Sequence, residues 1–528
     1  MSRPRSRLSN VLDSSSETRA VTPWEGDLLN RKAHADFLTR YLTSRIMAIA
    51  GPVSFTVALN AAWGQGKTYF VQNWSKSLDA QTPRYPSFVF DAWAADYAAD
   101  PVLAFMAALK TSLDAEIARS TLGVKAKATL QRGLDDAIKS ARRAIWPAVR
   151  TIGKALVKKA TGVVVDEVVD AIEGEAISDT PDAPEDLSAD ALEALDAGLD
   201  EFFKKALASH AERSKSIIAF RTLVEATIVT LAQGKTHRLP MFVFVDELDR
   251  CRPSFAIALL EGIKHLFGVP GVCFVISLNL TQLSHSVKAV YGEGFDGYRY
   301  LKRFFDIEVA LPIAAGPSYA KQVLAEYAHS LRQKMQLGLP ESMKFEGWDA
   351  TPATALAWVA ENFDLNLRSQ RQIMEMCVAA ASGIRAESSL YFLWLLSLCA
   401  IRHLSPEEFE RLADSVGKEA GIHNTIWRDL SVASVSRQFR DPSDNRAALK
   451  QVRLVEVAYQ YHQAANADLK TFDKLLGNMN IYDYPRSVLV PVKGEAPHAM
   501  RIHDPYPTSL KTYFDLVRSA GHVAVSGD

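Results

Sequence analysis

Residues Ala61–Thr68 read AAWGQGKT, and the reading of this stretch decides the fold. Before it runs Ser54-Phe-Thr-Val-Ala-Leu-Asn60, which alternates as a strand does; after it comes Tyr69–Trp74, with apolar residues at helical spacing. Strand, Gly-rich turn, Lys-Thr and helix together make a phosphate-binding loop. Gly64 and Gly66 allow backbone angles that aim successive N–H groups at one anion, and the helix N-terminus adds its partial positive charge. Ala61, Ala62, Trp63, Gly64, Gln65, Gly66, Lys67 and Thr68 form the candidate binding loop. Lys67 would reach the β- and γ-phosphates of a nucleotide, and the Thr68 hydroxyl would ligate Mg²⁺. One departure stands out: the pattern's first glycine is Ala61, which makes the turn less permissive.

A second stretch supports the first. Residues Met241–Asp249 read MFVFVDELD. A short, wholly apolar run ending in acids predicts a buried parallel strand that delivers a carboxylate to the C-terminal edge of a sheet, where open α/β sheets bind nucleotides. Asp246 is the candidate Mg²⁺ ligand, Glu247 the candidate base for an attacking water, and Asp249 the reserve for that role. The predicted class is α/β: a P-loop NTPase with a parallel sheet, a long helical insertion and an all-α C-terminal region.

The chain has 528 residues, 48% of them hydrophobic, enough for several cores. A net charge of −1 neither favours nor excludes nucleic acid as a partner. Cys251, Cys273, Cys377 and Cys399 form no C-x-x-C pair, so neither a disulfide framework nor a zinc site is expected, and a reducing cytoplasm fits. Residues 1–22 carry Arg3, Arg5 and Arg7 without an apolar core behind them and read as a disordered tail rather than a secretory signal. The longest clean apolar run, Leu390–Ile401, is too short to span a bilayer and reads as a buried helix.

Residues 23–118 hold the first part of the nucleotide domain: a helix, the strand before the loop, a strand at Ser87–Trp93 and a helix from Pro101 with Asp100 as N-cap. The pattern then breaks. Over 119–237 the chain looks helical, first basic, with eleven Lys/Arg against Asp135 and Asp136 in Arg119–Lys159, and then acidic, with no Lys or Arg in Ala160–Phe203. Either the two halves pair with each other or the basic one offers a surface to nucleic acid or anionic lipid. Sheet logic returns over 238–315, with a buried strand at Val272–Leu278 ending at Asn279, then a basic helix and last strand in Tyr298–Pro312. Residues 316–474 read as successive amphipathic helices, and 475–528, with Pro485, Pro491, Pro497, Pro505 and Pro507, as an irregular tail.

Jointly, Ala62-Trp-Gly-Gln-Gly-Lys-Thr68, Phe90-Asp-Ala-Trp93, Val245-Asp-Glu-Leu-Asp-Arg-Cys-Arg-Pro253, Cys273-Phe-Val-Ile-Ser-Leu-Asn279 and Tyr300-Leu-Lys-Arg-Phe-Phe305 followed by Leu311-Pro312 resemble the KAP family of P-loop NTPases, a branch of the ASCE class (additional strand, catalytic glutamate). The resemblance covers roughly Trp24–Ala400. It implies an ATPase with a long insertion between its two nucleotide motifs. In many members that insertion spans a membrane; here Arg150, Lys154, Lys158, Lys159, Asp166 and Glu167 interrupt the apolar pattern of Ile145–Val169, so peripheral contact rather than a span is expected. The resemblance also implies a setting such as antiphage defence.

Four further residues complete the candidate site. Asn279 stands where related ATPases keep a polar group that senses the γ-phosphate, although the family often has Asp there. Arg303 is the first candidate for an arginine reaching a neighbouring subunit's γ-phosphate, with Arg299 and Lys302 as alternatives. Arg368 and Arg371, in LNLRSQRQI, would approach from the helical region of the same chain. ATP is expected over GTP, since no N-K-x-D or T-K-x-D follows the acidic strand. Trp24 is either an adenine platform or a core aromatic. The expected activity is that of an ATP-driven switch or motor, homo-oligomeric and acting with other proteins. The alternative is a nucleotide-dependent scaffold with little turnover that engages nucleic acid or membrane through its insertion. A nuclease in the C-terminal region finds no metal-carboxylate cluster or H-N-H pattern to support it.

Overall fold

The computed structural model describes residues 23–47, 53–161, 215–264, 268–311, 316–331, 334–337, 344–345, 351–384, 389–415, 436–440, 450–477, 489, 492 and 509–524. The N-terminal tail, nearly all of the acidic half of the insertion and the proline-rich stretch before residue 509 lie outside them. Two compact units are found: residues up to 58 with 68–308, and 59–67 with the residues from 309 onward.

In chain order come α1 (Arg31–Ile46), β1 (Phe55–Asn60), α2 (Lys67–Asp79), β2 (Ser87–Asp91), α3 (Pro101–Arg119) and the long α4 (Val124–Thr161). Asp100 caps α3 by accepting from Leu103 N at 2.8 Å, with Pro101 at the first helical position, as the sequence predicts. Then come α5 (Lys215–Gln233), β3 (Met241–Asp246), α6 (Pro253–Ile263), β4 (Val272–Leu278), α7 (Leu280–Tyr291), α8 (Gly297–Leu301) and β5 (Ile307–Ala310).

The five strands lie in the order β2-β3-β4-β1-β5. Pairing is parallel, with Asp91 opposite Asp246 and Met241 opposite Val272. Backbone bonds from Asp306 N to Thr56 O (2.8 Å) and from Leu311 N to Asn60 O (3.0 Å) carry the same direction to the edge strand. Every residue of β3 and β4 is buried, which is why both read as unbroken apolar runs. The consequence is topological: β4 is inserted between the strand that leads into the phosphate loop and the strand that ends in the acids. A parallel sheet puts all three C-terminal ends on one edge.

Helix α5 is long and apolar enough, by length and composition, to cross a membrane. Its buried residues Ile217, Phe220, Val224, Ile228 and Leu231 nevertheless recur at helical spacing on one stripe and join the core of the first unit. On α4, Lys110 of the adjacent helix pairs with Asp135 (2.5 Å), while Lys125, Arg132, Lys139, Arg142 and Arg143 are exposed.

The second unit has its own core. It contains α9 (Pro317–Tyr327), β6 (Lys334–Gln336), β7 (Lys344–Phe345), α10 (Pro352–Asn362), α11 (Leu367–Ser382), β8 (Ser389–Tyr391), α12 (Phe392–Leu404), α13 (Pro406–Asp414), β9 (Ser436–Arg440), β10 (Lys450–Arg453), α14 (Leu454–Asn466), α15 (Leu469–Gly477) and α16 (Thr512–Ala524). Two expectations need correction. The region is not purely helical: β6 pairs with β8, and β7, β9 and β10 form a second small sheet. Strands of two to five residues are too short to leave a periodic signal. Nor are the described residues after 475 irregular throughout. Tyr513, Phe514, Val517 and Ala520 of α16 are buried, and Arg518 pairs with Glu410 at 2.7 Å. The prolines that suggested irregularity stop at Pro507.

Candidate functional site

The phosphate loop leaves β1 at Asn60 and becomes α2 at Lys67. Gly64 and Gly66 have φ of +77° and +81°, the left-handed region that glycine enters without a Cβ penalty. The Gln65 side chain braces the turn by accepting from Ala62 N at 3.1 Å. Lys67 is buried, and its Nζ donates to Ala61 O at 3.0 Å. Ala61 therefore contributes its carbonyl, which needs no particular side chain; the side chain itself is buried. Trp63 is 44% exposed.

Within the same unit, the start of α11 abuts this loop. Arg368 N donates to Gly64 O at 3.4 Å, and a Cβ placed on Gly64 would lie 2.5 Å from Asn366 Oδ1. Asn366 itself caps α11, accepting from Ser369 N at 2.8 Å. Arg368 is exposed and has no ion-pair partner among the described residues. Arg371, one turn on, pairs with Glu326 at 2.8 Å.

In the first unit, Thr68 and the acidic strand meet. The Thr68 hydroxyl donates to Glu247 Oε1 at 2.7 Å, joining residues 179 apart in sequence. The other carboxylate oxygen, Oε2, lies 2.5 Å from Arg250 Nε. Glu247 has φ 59° and ψ 25°, a left-handed conformation that costs a non-glycine residue roughly 1–2 kcal/mol and turns the chain sharply from β3 into the 3₁₀ turn Leu248–Arg250. A hydrogen bond to a carboxylate contributes about 1.5–3 kcal/mol, enough to offset that strain.

Asp246 is 2% exposed, and its Oδ1 is buried without a hydrogen-bond partner. A buried carboxylate oxygen left without a donor is costly, and a hard divalent cation would satisfy it. The residues fit Mg²⁺, with Asp246 and the Thr68 hydroxyl as the groups to hold it. Among the described residues there is no cluster of three or more His, Cys, Asp or Glu to suggest another metal centre. Asp249 accepts from Asn279 N at 3.0 Å and so braces the end of β4. Asn279 Oδ1 accepts from Gln282 N at 3.2 Å, capping α7.

Arg303 is exposed, in the 3₁₀ turn before β5, with no ion-pair partner among the described residues. Lys302 lies over the Tyr298 ring, 4.8 Å from its centroid. Arg299 donates its backbone N–H to the cap residue Asp296 at 3.0 Å. Trp24 is 6% exposed and packs on Phe70 of α2, 5.7 Å between centroids, and on Tyr69. It is a core aromatic. Burial also pushes the Cys251 thiol up to about 12, which leaves it an inert neighbour of the acids.

The strand order decides the class. A strand between the loop-bearing strand and the acid-bearing strand is the additional strand of the ASCE arrangement. The KAP family P-loop domain matches residues 39–379, well over half of the chain. The chain belongs to the KAP family. This P-loop NTPase family accounts for the loop, the acids and the long insertion between them. No curated protein matches the chain in sequence. Among solved structures, the chain is similar to the ORC2 protein of Aeropyrum pernix in ADPNP–ADP complexes, at 11% identity over 94% of this chain and 95% of that one. The TM-score is 0.30.

Two residues that touch these motifs, one in each unit, are missed by sequence reasoning. Arg250 was readable in principle, since it stands three residues after Glu247 and can face it across one turn. Asn366 had no such signal: it is 302 positions from Gly64, and only folding brings it to the loop.

Proposed function

We propose that the chain binds ATP with Mg²⁺ at the Ala61–Thr68 loop and hydrolyses it, working as a conformational switch or motor within a multi-component system. The observation that carries this reading is the bond from Thr68 to Glu247, beside an Asp246 oxygen that lacks a donor. A protein that only held nucleotide would need the loop and Asp246 but not a carboxylate at Glu247. In the proposed reaction Glu247 takes the proton of the attacking water, the bridge between the β- and γ-phosphates breaks, and ADP and inorganic phosphate leave. Asp246 and the Thr68 hydroxyl would hold Mg²⁺, which would supply charge neutralisation for the phosphates. Asp249 holds β4 and Asn279 in place. Arg368, beside Gly64, is the in-chain arginine, and Arg303 the arginine offered to a neighbouring copy in a homo-oligomer. Antiphage defence is the setting the family resemblance suggests.

The alternative, a scaffold with little turnover, draws on the exposed cations of α4, which would meet nucleic acid or an anionic membrane surface. Two variants test the site and the turnover in turn, by calorimetry and phosphate release. Lys67→Ala loses charge-assisted contacts to phosphate and weakens ATP binding by about 10- to 150-fold. Glu247→Gln retains ATP binding and slows turnover by about 10²- to 10⁴-fold. Unchanged ATP affinity in folded Lys67→Ala refutes the site, and normal turnover in Glu247→Gln moves the base elsewhere.

A further inference from the structure

Both oxygens of the Glu247 carboxylate are taken. Oε1 accepts from the Thr68 hydroxyl and Oε2 faces Arg250 Nε. Glu247 is 15% and Arg250 28% exposed, so solvent screens this pair less than a surface pair. Beyond the carboxylate, the guanidinium lies over the indole of Trp93, with its carbon 5.2 Å from the ring centroid. Trp93 follows β2, whose last residue, Asp91, is in register with Asp246. Trp93 as a residue is 55% exposed. Arg252 Nε pairs with Asp96 Oδ1 at 3.2 Å and ties the loop after β3 to the loop after β2. Glu247, Arg250 and Trp93 therefore form a short relay from the acid pair to the surface.

We propose that Arg250 is a latch on Glu247, and that Trp93 is the positioning residue that holds the latch. The inference rests on Glu247 being the base. With Arg250 in place, one lone pair of Oε2 is engaged by the guanidinium and withheld from a water. A Thr68 hydroxyl that held a cation through its oxygen would keep its proton for Oε1, and nothing in that change would free Oε2. The latch opens when the guanidinium slides across the indole face, a movement that keeps the cation over the ring. Turnover is then restrained by Arg250 rather than by nucleotide affinity, and the restraint ends at an exposed tryptophan.

Two measurements test the latch on the full chain. The first needs no nucleotide. Acrylamide quenching of Trp93 is obtained as the difference between each protein and its Trp93→Phe counterpart. Removing the guanidinium uncovers one ring face, so Arg250→Ala raises the Trp93 quenching constant by about 1.5-fold. The second is phosphate release. Arg250→Ala raises kcat by about 3- to 10-fold with KM for ATP within about twofold, a split that a merely structural role would not produce. Arg250→Lys, which restores a cation without the planar fork, falls between Arg250→Ala and the unaltered protein. Should Arg250→Ala fail to fold, Arg250→Gln is predicted to shift kcat in the same direction. Turnover that appears only once Arg250 is replaced also supports the latch. Unchanged quenching overturns it, as does unchanged, reduced or absent turnover in folded, ATP-binding Arg250→Ala. If Lys67→Ala leaves ATP affinity intact, the site reading itself has failed. If Lys67→Ala and Glu247→Gln behave as expected and Arg250→Ala does nothing, only the latch has.

Discussion

Gly64→Ala tests the seating of α11 against the phosphate loop without reference to any reaction. Two penalties add at this position. An alanine at φ +77° costs roughly 1–2 kcal/mol. Its Cβ would also lie 2.5 Å from Asn366 Oδ1, 2.8 Å from Asn366 Cγ and 3.1 Å from Arg368 Cβ. The Asn366 side chain must swing away, which breaks the cap on Ser369 N at a cost of about 0.5–2 kcal/mol. The sum is roughly 1.5–4 kcal/mol. Gly66→Ala is the internal control. Its φ is +81°, but its Cβ would meet only Leu367 Cδ1 at 3.7 Å, an ordinary contact, so only the backbone penalty of roughly 1–2 kcal/mol applies. Urea unfolding of both variants, of Asn366→Ala and of the double variant closes a cycle. Because Asn366→Ala has already removed both the cap and the obstructing oxygen, Gly64→Ala on that background should cost about 1 kcal/mol less than alone. Equal losses for the two glycines, or strict additivity of Gly64→Ala with Asn366→Ala, would refute the claim that Asn366 packs on the loop.

Three further outcomes are expected. His237 is buried, with Nε2 3.0 Å from Glu116 Oε2 and 3.2 Å from Arg84 Nε, and Nδ1 2.8 Å from Thr236 Oγ1; Asp79 and Arg119 complete the charged surroundings. Burial holds its imidazole below the usual histidine range despite the opposing pull of Glu116. The unfolded chain therefore takes up the proton first, and stability falls as pH drops through about 6.5 toward the folded-state value; His237→Asn should flatten that part of the urea-unfolding profile. Asp246→Ala removes the oxygen left without a donor and should abolish the Mg²⁺ dependence of ATP affinity, whereas Glu247→Gln should preserve it; titration calorimetry with and without Mg²⁺ distinguishes them. If Arg303 serves a neighbouring copy, mixing Arg303→Ala with Glu247→Gln should recover part of the ATPase activity, and failure in mixtures shown to co-assemble would place Arg303 within its own subunit.

Much of the nucleotide domain was legible because its signals are local. A parallel strand buried on both faces must be apolar throughout, so Met241–Val245 and Val272–Leu278 announce themselves. A loop that wraps an anion must carry glycine and lysine within a few residues, so Ala61–Thr68 is self-contained. Asp100 before Pro101 marks a helix start for the same kind of reason. The chain thus declared by itself that it is an α/β P-loop protein, with two nucleotide motifs separated by a long insertion.

What tertiary structure decided is everything set by pairing between distant segments. No local pattern says that β4 lies between β1 and β3, because strand order follows from which faces and edges remain to be covered. Nor does any local pattern place Asn366 at Gly64, or lay Arg250 across Trp93 with its Nε on Glu247. The short strands of the second unit and the docking of α16 depend in the same way on partners far along the chain. Turn chemistry and burial act within a few residues and are written in the sequence. Edges, registers and the orientation of a charged side chain between two neighbours depend on contacts that exist only once the chain has closed on itself.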